Sequence, residues 1–120
     1  MKVLLADDSK TMRMLIRHLL EELGIKDVTE VEDGVAAVTS TTQHYYDLII
    51  TDIHMPKMTG IELVEAIRSG GVESPIVVIT SDSDYRSVAK MQELGANAYL
   101  TKPFTRRKLQ SVIQQLGETT

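Results

Sequence analysis

Short apolar runs alternate with stretches of helical spacing along the whole chain. The runs are KVLLA (2–6), VTEV (28–31), DLIIT (47–51), PIVVIT (75–80) and AYLT (98–101). Three of them are continuous in Val, Ile and Leu, without polar alternation. A strand that is apolar on both sides belongs in a sheet covered on both faces, which is the parallel arrangement. Parallel neighbours need a crossover connection, usually a helix.

The segments between the runs supply those helices. Met12, Leu15, Ile16, Leu19, Leu20 and Leu23 follow an i, i+3, i+4 rhythm, with Ser9 to cap the start and Gly24 the end. Thr59 and Glu62 form a capping-box pattern ahead of Ile61, Leu63, Val64 and Ile67. Val88, Met91 and Leu94 mark a helix ending at Gly95. Leu109, Val112, Ile113 and Leu116 mark the last, between Thr105 and Gly117. Residues 34–43 are rich in β-branched side chains, which disfavour helix. The need for a crossover still predicts a helix there. The expectation is one α/β domain over 1–120, five β-α units with helices on both faces of a parallel sheet.

Composition excludes several functions. The chain has 120 residues, 42% apolar and 25% charged, enough for one core without staples. It has no cysteine, so disulfides and thiolate metal sites are excluded. The formal net charge of -4 argues against direct nucleic acid binding. MKVLLADDSK is too soon interrupted by acids to be a signal peptide, and no run approaches a membrane span. A cytoplasmic protein with no membrane contact is expected.

Open parallel sheets bind ligands beyond the carboxyl ends of their strands. There this chain places Asp7-Asp8, Asp52, Thr80-Ser81 and Lys102-Pro103. Each has an ordinary reading: an acidic pair at a helix start, a turn aspartate, a strand end, a solvated lysine. All four readings would have to hold at one edge. Clustered carboxylates repel one another unless a cation joins them. Oxygen ligands alone point to a hard ion, Mg²⁺ rather than Zn²⁺. One carboxylate then remains as a nucleophile able to form an aspartyl phosphate. Lys102 supplies positive charge for a transferred group, and Thr80 and backbone N–H groups supply donors.

The motifs LLADDS, DLIITDIHMPKMTGIEL, PIVVITS and AYLTKPF, in this order, resemble the receiver domain of two-component response regulators. The resemblance covers essentially the whole chain. It implies a flavodoxin-like (βα)5 three-layer sandwich with strand order 2-1-3-4-5. It implies Asp52 as phosphoacceptor, with Mg²⁺ held directly by Asp8, Asp52 and the backbone carbonyl of His54, and with Asp7 a ligand through water or a partner to those ligands. Lys102 would pair with the phosphoryl group, and Thr80 and Tyr99 would be the switch pair. The Lys102-Pro103 bond would be cis. His54 and Asp82 fall where such domains tune phosphate lifetime, and Asp82 is expected to hinder or orient the attacking water. The implied partners are a sensor histidine kinase or phosphotransfer protein and a target protein or output domain. The target would bind the face of the fourth helix, fifth strand and fifth helix, in chemotaxis-like or other signalling. The domain would catalyse its own phosphorylation and hydrolysis without being a turnover enzyme.

Three alternatives stay open. The chain could be a receiver cut from a longer regulator with an output domain. An Asp-nucleophile phosphatase of the haloacid dehalogenase type would usually carry a second Asp where this chain has His54. A degenerate receiver would lack part of the set Asp7, Asp8, Asp52, Thr80 and Lys102. Separately, TRRK (105–108), with Arg86 and Lys90, is either a solvated face or a docking patch for an acidic partner.

Overall fold

The structure, a computed structural model, describes residues 1–81 and 85–118. Five strands alternate with five helices: β1 (Lys2–Ala6), α1 (Lys10–Glu22), β2 (Asp27–Val31), α2 (Gly34–Gln43), β3 (Leu48–Asp52), α3 (Gly60–Ser69), β4 (Ile76–Thr80), α4 (Tyr85–Leu94), β5 (Ala98–Thr101) and α5 (Arg106–Glu118). All pairings are parallel and the order is β2-β1-β3-β4-β5. β3 and β4 are buried at every position, as their continuous Leu, Ile and Val runs require, and they bury Thr51, Asp52 and Thr80 at their carboxyl ends.

Strand residues alternate between two cores. Leu4, Ala6, Ile49, Ile76 and Val78 meet Ala37 of α2, Leu63, Val64 and Ile67 of α3 and Met91 of α4. Val3, Leu5, Leu48, Ile50, Val77, Ile79 and Leu100 meet Ile16 and Leu20 of α1 and Leu109 of α5. Three helices thus cover one face and two the other. Each fully buried aliphatic side chain contributes about 1.5–3 kcal/mol of transfer free energy.

Local signals fix the helix starts. The Ser9 hydroxyl accepts the Met12 N–H at 3.2 Å. Asp33 Oδ1 accepts the Ala36 N–H at 2.8 Å. Thr59 and Glu62 form both halves of the capping box, at 3.2 and 3.0 Å. In α2 the β-branched residues are accommodated: the Thr41 and Thr42 hydroxyls donate to the carbonyls of Val38 and Thr39 at 2.8 and 2.7 Å.

Two details depart from the sequence reading. Leu15 stands 45% exposed rather than in the apolar stripe. It is one residue, roughly 100° of rotation, from the buried Ile16. The final helix runs through Gly117 to Glu118, so this glycine does not stop it.

Candidate functional site

Register builds the site. β1 pairs with β3 up to Ala6 opposite Thr51. Asp7, the first residue past β1, and Asp52, the last of β3, therefore stand side by side at the carboxyl edge. Asp8 follows into solvent. Carboxylate oxygens of Asp7, Asp8 and Asp52 all lie within 4.8 Å of one another.

Each acid is held differently. Asp7 is fully buried. Its Oδ1 accepts the Ser9 N–H at 2.8 Å, while its Oδ2 has no hydrogen-bond partner. Burial pushes the Asp7 carboxyl above its usual value, and the neighbouring Asp52 and Asp8 charges add to that; the Ser9 N–H and Lys102 oppose it. Asp52 Oδ1 accepts the Ile53 N–H at 2.7 Å, and its Oδ2 faces Lys102 Nζ at 3.4 Å. Lys102 follows β5, two strands away, so its long side chain crosses the end of β4 to reach Asp52.

The backbone beyond Asp52 turns tightly. Gly60, the first residue of α3, donates its N–H to the Ile53 carbonyl at 2.8 Å. A Cβ at Gly60 would lie 2.9 Å from the Asp52 carbonyl oxygen, 2.9 Å from Ile53 Cα and 2.4 Å from the Met91 methyl. Glycine is therefore required for α3 to seat against the end of β3.

Comparison with known proteins settles the family. A profile of the response regulator receiver domain matches residues 3–114. This chain belongs to the receiver domain family of two-component response regulators. The chemotaxis protein CheY of Pseudomonas aeruginosa is 34% identical to the receiver, over 98% of this chain and 97% of CheY. CheY-3 of Vibrio cholerae is 32% identical, over 98% of this chain and 92% of its own. Among solved structures, the receiver domain of sensor histidine kinase PA1611 from Pseudomonas aeruginosa superposes with a TM-score of 0.87. It is 33% identical, with 97% of each chain covered. That structure has a magnesium ion coordinated in the active-site cleft. The flavodoxin-like arrangement with strand order 2-1-3-4-5 is thus shown twice, by the topology and by these neighbours.

The receiver brings most of the residues singled out from sequence to one edge. Asp7, Asp8, Asp52 and Lys102 meet. Thr80 is buried at the end of β4, opposite Thr101, and its hydroxyl donates to the Ser81 carbonyl at 3.1 Å. Tyr99 is 48% exposed on β5, opposite Val78. The His54 side chain is exposed, and its N–H lies 3.5 Å from Asp52 Oδ1. The Lys102-Pro103 peptide bond is cis. Asp82 lies outside the described residues.

The basic cluster is partly paired. Arg106 pairs with Glu22 of α1 at 2.9 Å and Lys90 with Glu93 at 3.7 Å. Arg107 and Lys108 are exposed. A separate cleft of about 820 Å³ lies at the opposite, amino end of the strands, beside His44, Tyr45, Glu73 and Asn97. It contains none of the acidic-site residues Asp7, Asp8, Asp52, Thr80 and Lys102. Sequence reading missed two groups near the site, the buried Arg13 and the Lys57–Asp33 pair at 3.4 Å. Both join segments that only the β1–β2 and β1–β3 register brings together.

The donor set fits Mg²⁺. It consists of oxygens, it concentrates negative charge, and it contains a buried carboxylate oxygen without a partner.

Proposed function

We propose that the receiver takes a phosphoryl group on Asp52 from a phosphohistidine of a sensor kinase or phosphotransfer protein, and that this biases the α4-β5-α5 face toward a target. One observation carries the reading. Asp52 has a lysine ammonium at 3.4 Å on one side and two further carboxylates within 4.8 Å on the other. A turn aspartate has no use for either.

In the transfer, an Asp52 oxygen attacks phosphorus, the P–N bond to the donor imidazole breaks, and its electron pair returns to the ring. The product is an acyl phosphate. Asp7, Asp8, Asp52 and the His54 carbonyl would hold Mg²⁺, which offsets the charge on the transferring group. Lys102 faces the same oxygens and neutralises the charge left on the product. The Ile53 N–H fixes Asp52 before reaction. The Thr80 hydroxyl donates to its neighbour's carbonyl and would turn to a stronger acceptor, the phosphoryl oxygens. Tyr99, half-exposed on the next strand, then has space to turn inward.

The site lies at the carboxyl edge of the sheet with Asp8 exposed, where a protein donor can approach. Met14 and Leu15, 62% and 45% exposed on α1, offer apolar contact for such a partner. The activity is a single self-catalysed phosphorylation with slow hydrolysis, with His54 and Asp82 setting the lifetime. Among the described residues no helix is long and apolar enough to cross a membrane. A cytoplasmic phosphorelay fits the chain best, and chemotaxis-type signalling is the output suggested by the CheY relatives.

Acetyl phosphate with Mg²⁺ should add one phosphoryl group to the protein, and Asp52→Asn should abolish it. Continuous release of phosphate at an enzyme-like rate would instead favour the phosphatase reading.

A further inference from the structure

Arg13 is buried one turn into α1, and the phosphorylation chemistry above does not use it. Its guanidinium reaches three separate places. Nη1 donates to the Asp7 backbone carbonyl at 2.7 Å. Nε donates to Glu30 Oε1 at 3.1 Å, and Nη2 lies 3.5 Å from Glu32 Oε1. The other Glu30 oxygen accepts Arg17 Nη1 at 2.6 Å. Two cations and two carboxylates thus sit together with no net charge, joining β1, α1 and β2.

This fixes Asp7 from both sides. Its N–H donates to the Val31 carbonyl at 3.1 Å, and its own carbonyl is held by Arg13. Its Oδ1 is held by the Ser9 N–H at 2.8 Å. Only Oδ2 is left without a partner, and with everything else fixed its direction is set. We infer that Arg13 is a positioning residue: through the Asp7 carbonyl it aims the Asp7 carboxylate into the acidic site, while Glu30 and Glu32 neutralise a cation that would otherwise repel the metal.

The chemistry favours arginine specifically. A planar fork can serve a carbonyl and two carboxylates at once, whereas a lysine ammonium is a point charge on a flexible stem. A role in stability alone accounts less well for the contacts. The Glu30 and Glu32 side chains are 30% and 78% exposed, and ion pairs open to solvent add little net stability; this guanidinium also spends one arm on the backbone of the carboxylate it would position.

The inference rests on the Mg²⁺ reading, and the test separates the two. The Mg²⁺ dissociation constant is measured by calorimetric titration for wild type, Arg13→Lys and Glu30→Gln. Amide hydrogen exchange is followed in the metal-free proteins. Loss of a group that orients a metal ligand typically costs 10–100-fold in affinity. Arg13→Lys should weaken Mg²⁺ binding in that range. It should also speed exchange at the Asp7 and Ser9 amides far more than at the β4 amides. Glu30→Gln, at a part-exposed position that leaves the Asp7 bond in place, should give a smaller loss. It also keeps the question decidable should Arg13→Lys fold poorly. Mg²⁺ affinity and local exchange like wild type would overturn the inference, as would faster exchange spread evenly through the sheet. Wild-type protein that bound no Mg²⁺ would contradict the site reading itself. The metal-free exchange comparison would still decide whether Arg13 holds Asp7.

Discussion

Asp7 carries its charge in an unfavourable place. It is buried, lacks a partner for one oxygen, and stands beside two other carboxylates. Its carboxyl is raised by burial, so the folded chain holds that proton more tightly than the unfolded chain does. The resulting penalty is fully present above the folded pKa and fades as pH falls through it. Asp33 and Glu62 act in the opposite sense. Each is lowered, mainly by a backbone N–H at a helix start, so their contribution is present at neutral pH and lost in acid. Without metal, Asp7→Asn should therefore be more stable than wild type at neutral pH. The advantage should shrink on acidification, which thermal melts across a pH series will show. With Mg²⁺ present the order should reverse. Saturating Mg²⁺ at about 100 times Kd adds about 2.7 kcal/mol to wild type and nothing to the variant.

Among the elements, the junction of β3 and α3 bears most directly on the chemistry. Gly60 lets the helix start against the Asp52 carbonyl, and the Thr59–Glu62 box satisfies the first N–H groups. Gly60→Ala should cost about 1–3 kcal/mol by overpacking and should also slow phosphorylation, because the added methyl meets the backbone that holds Asp52. Thr59→Ala should cost about 1 kcal/mol, as cap losses do, while leaving the phosphorylation rate near wild type. Denaturant melts paired with phosphorylation kinetics separate the two effects. At this scale the sequence was informative where signals are local. Caps, the capping box and continuous apolar strands can be read one residue at a time. Leu15 and Gly117 depart from the spacing rule because amphipathic spacing marks a stripe, not its edges, and a glycine in a last turn is tolerated as well as terminal. The Arg13 network was illegible: Arg13 is six residues from Asp7 but 17 from Glu30, and it looks like an ordinary polar helix position until β1 and β2 are paired.

For the whole molecule, the sheet makes the site. Acids from β1 and β3 meet because those strands are neighbours, and Lys102 joins them from two strands away. The strand ends were visible in the sequence; their meeting depended on strand order, which the family resemblance implied and the topology shows. Arg68 shows what keeps the far side of the sheet in register. Its guanidinium donates to the carbonyls of Val72, Ser74 and Gly95 and to Asn97 Oδ1, at 2.8 to 3.1 Å. Arg68→Ala should destabilise by about 3 kcal/mol through the carbonyls left unpaired, while leaving Mg²⁺ affinity intact. Thermal melts and metal titration of that variant will check both halves. The central claim is Mg²⁺-dependent phosphorylation at Asp52, and intact-mass analysis after incubation with acetyl phosphate tests it directly. The account predicts a gain of one phosphoryl group with Mg²⁺, none with a chelator, and none in Asp52→Asn. An unchanged mass for wild type with Mg²⁺, or a gain that survives in Asp52→Asn, would contradict it.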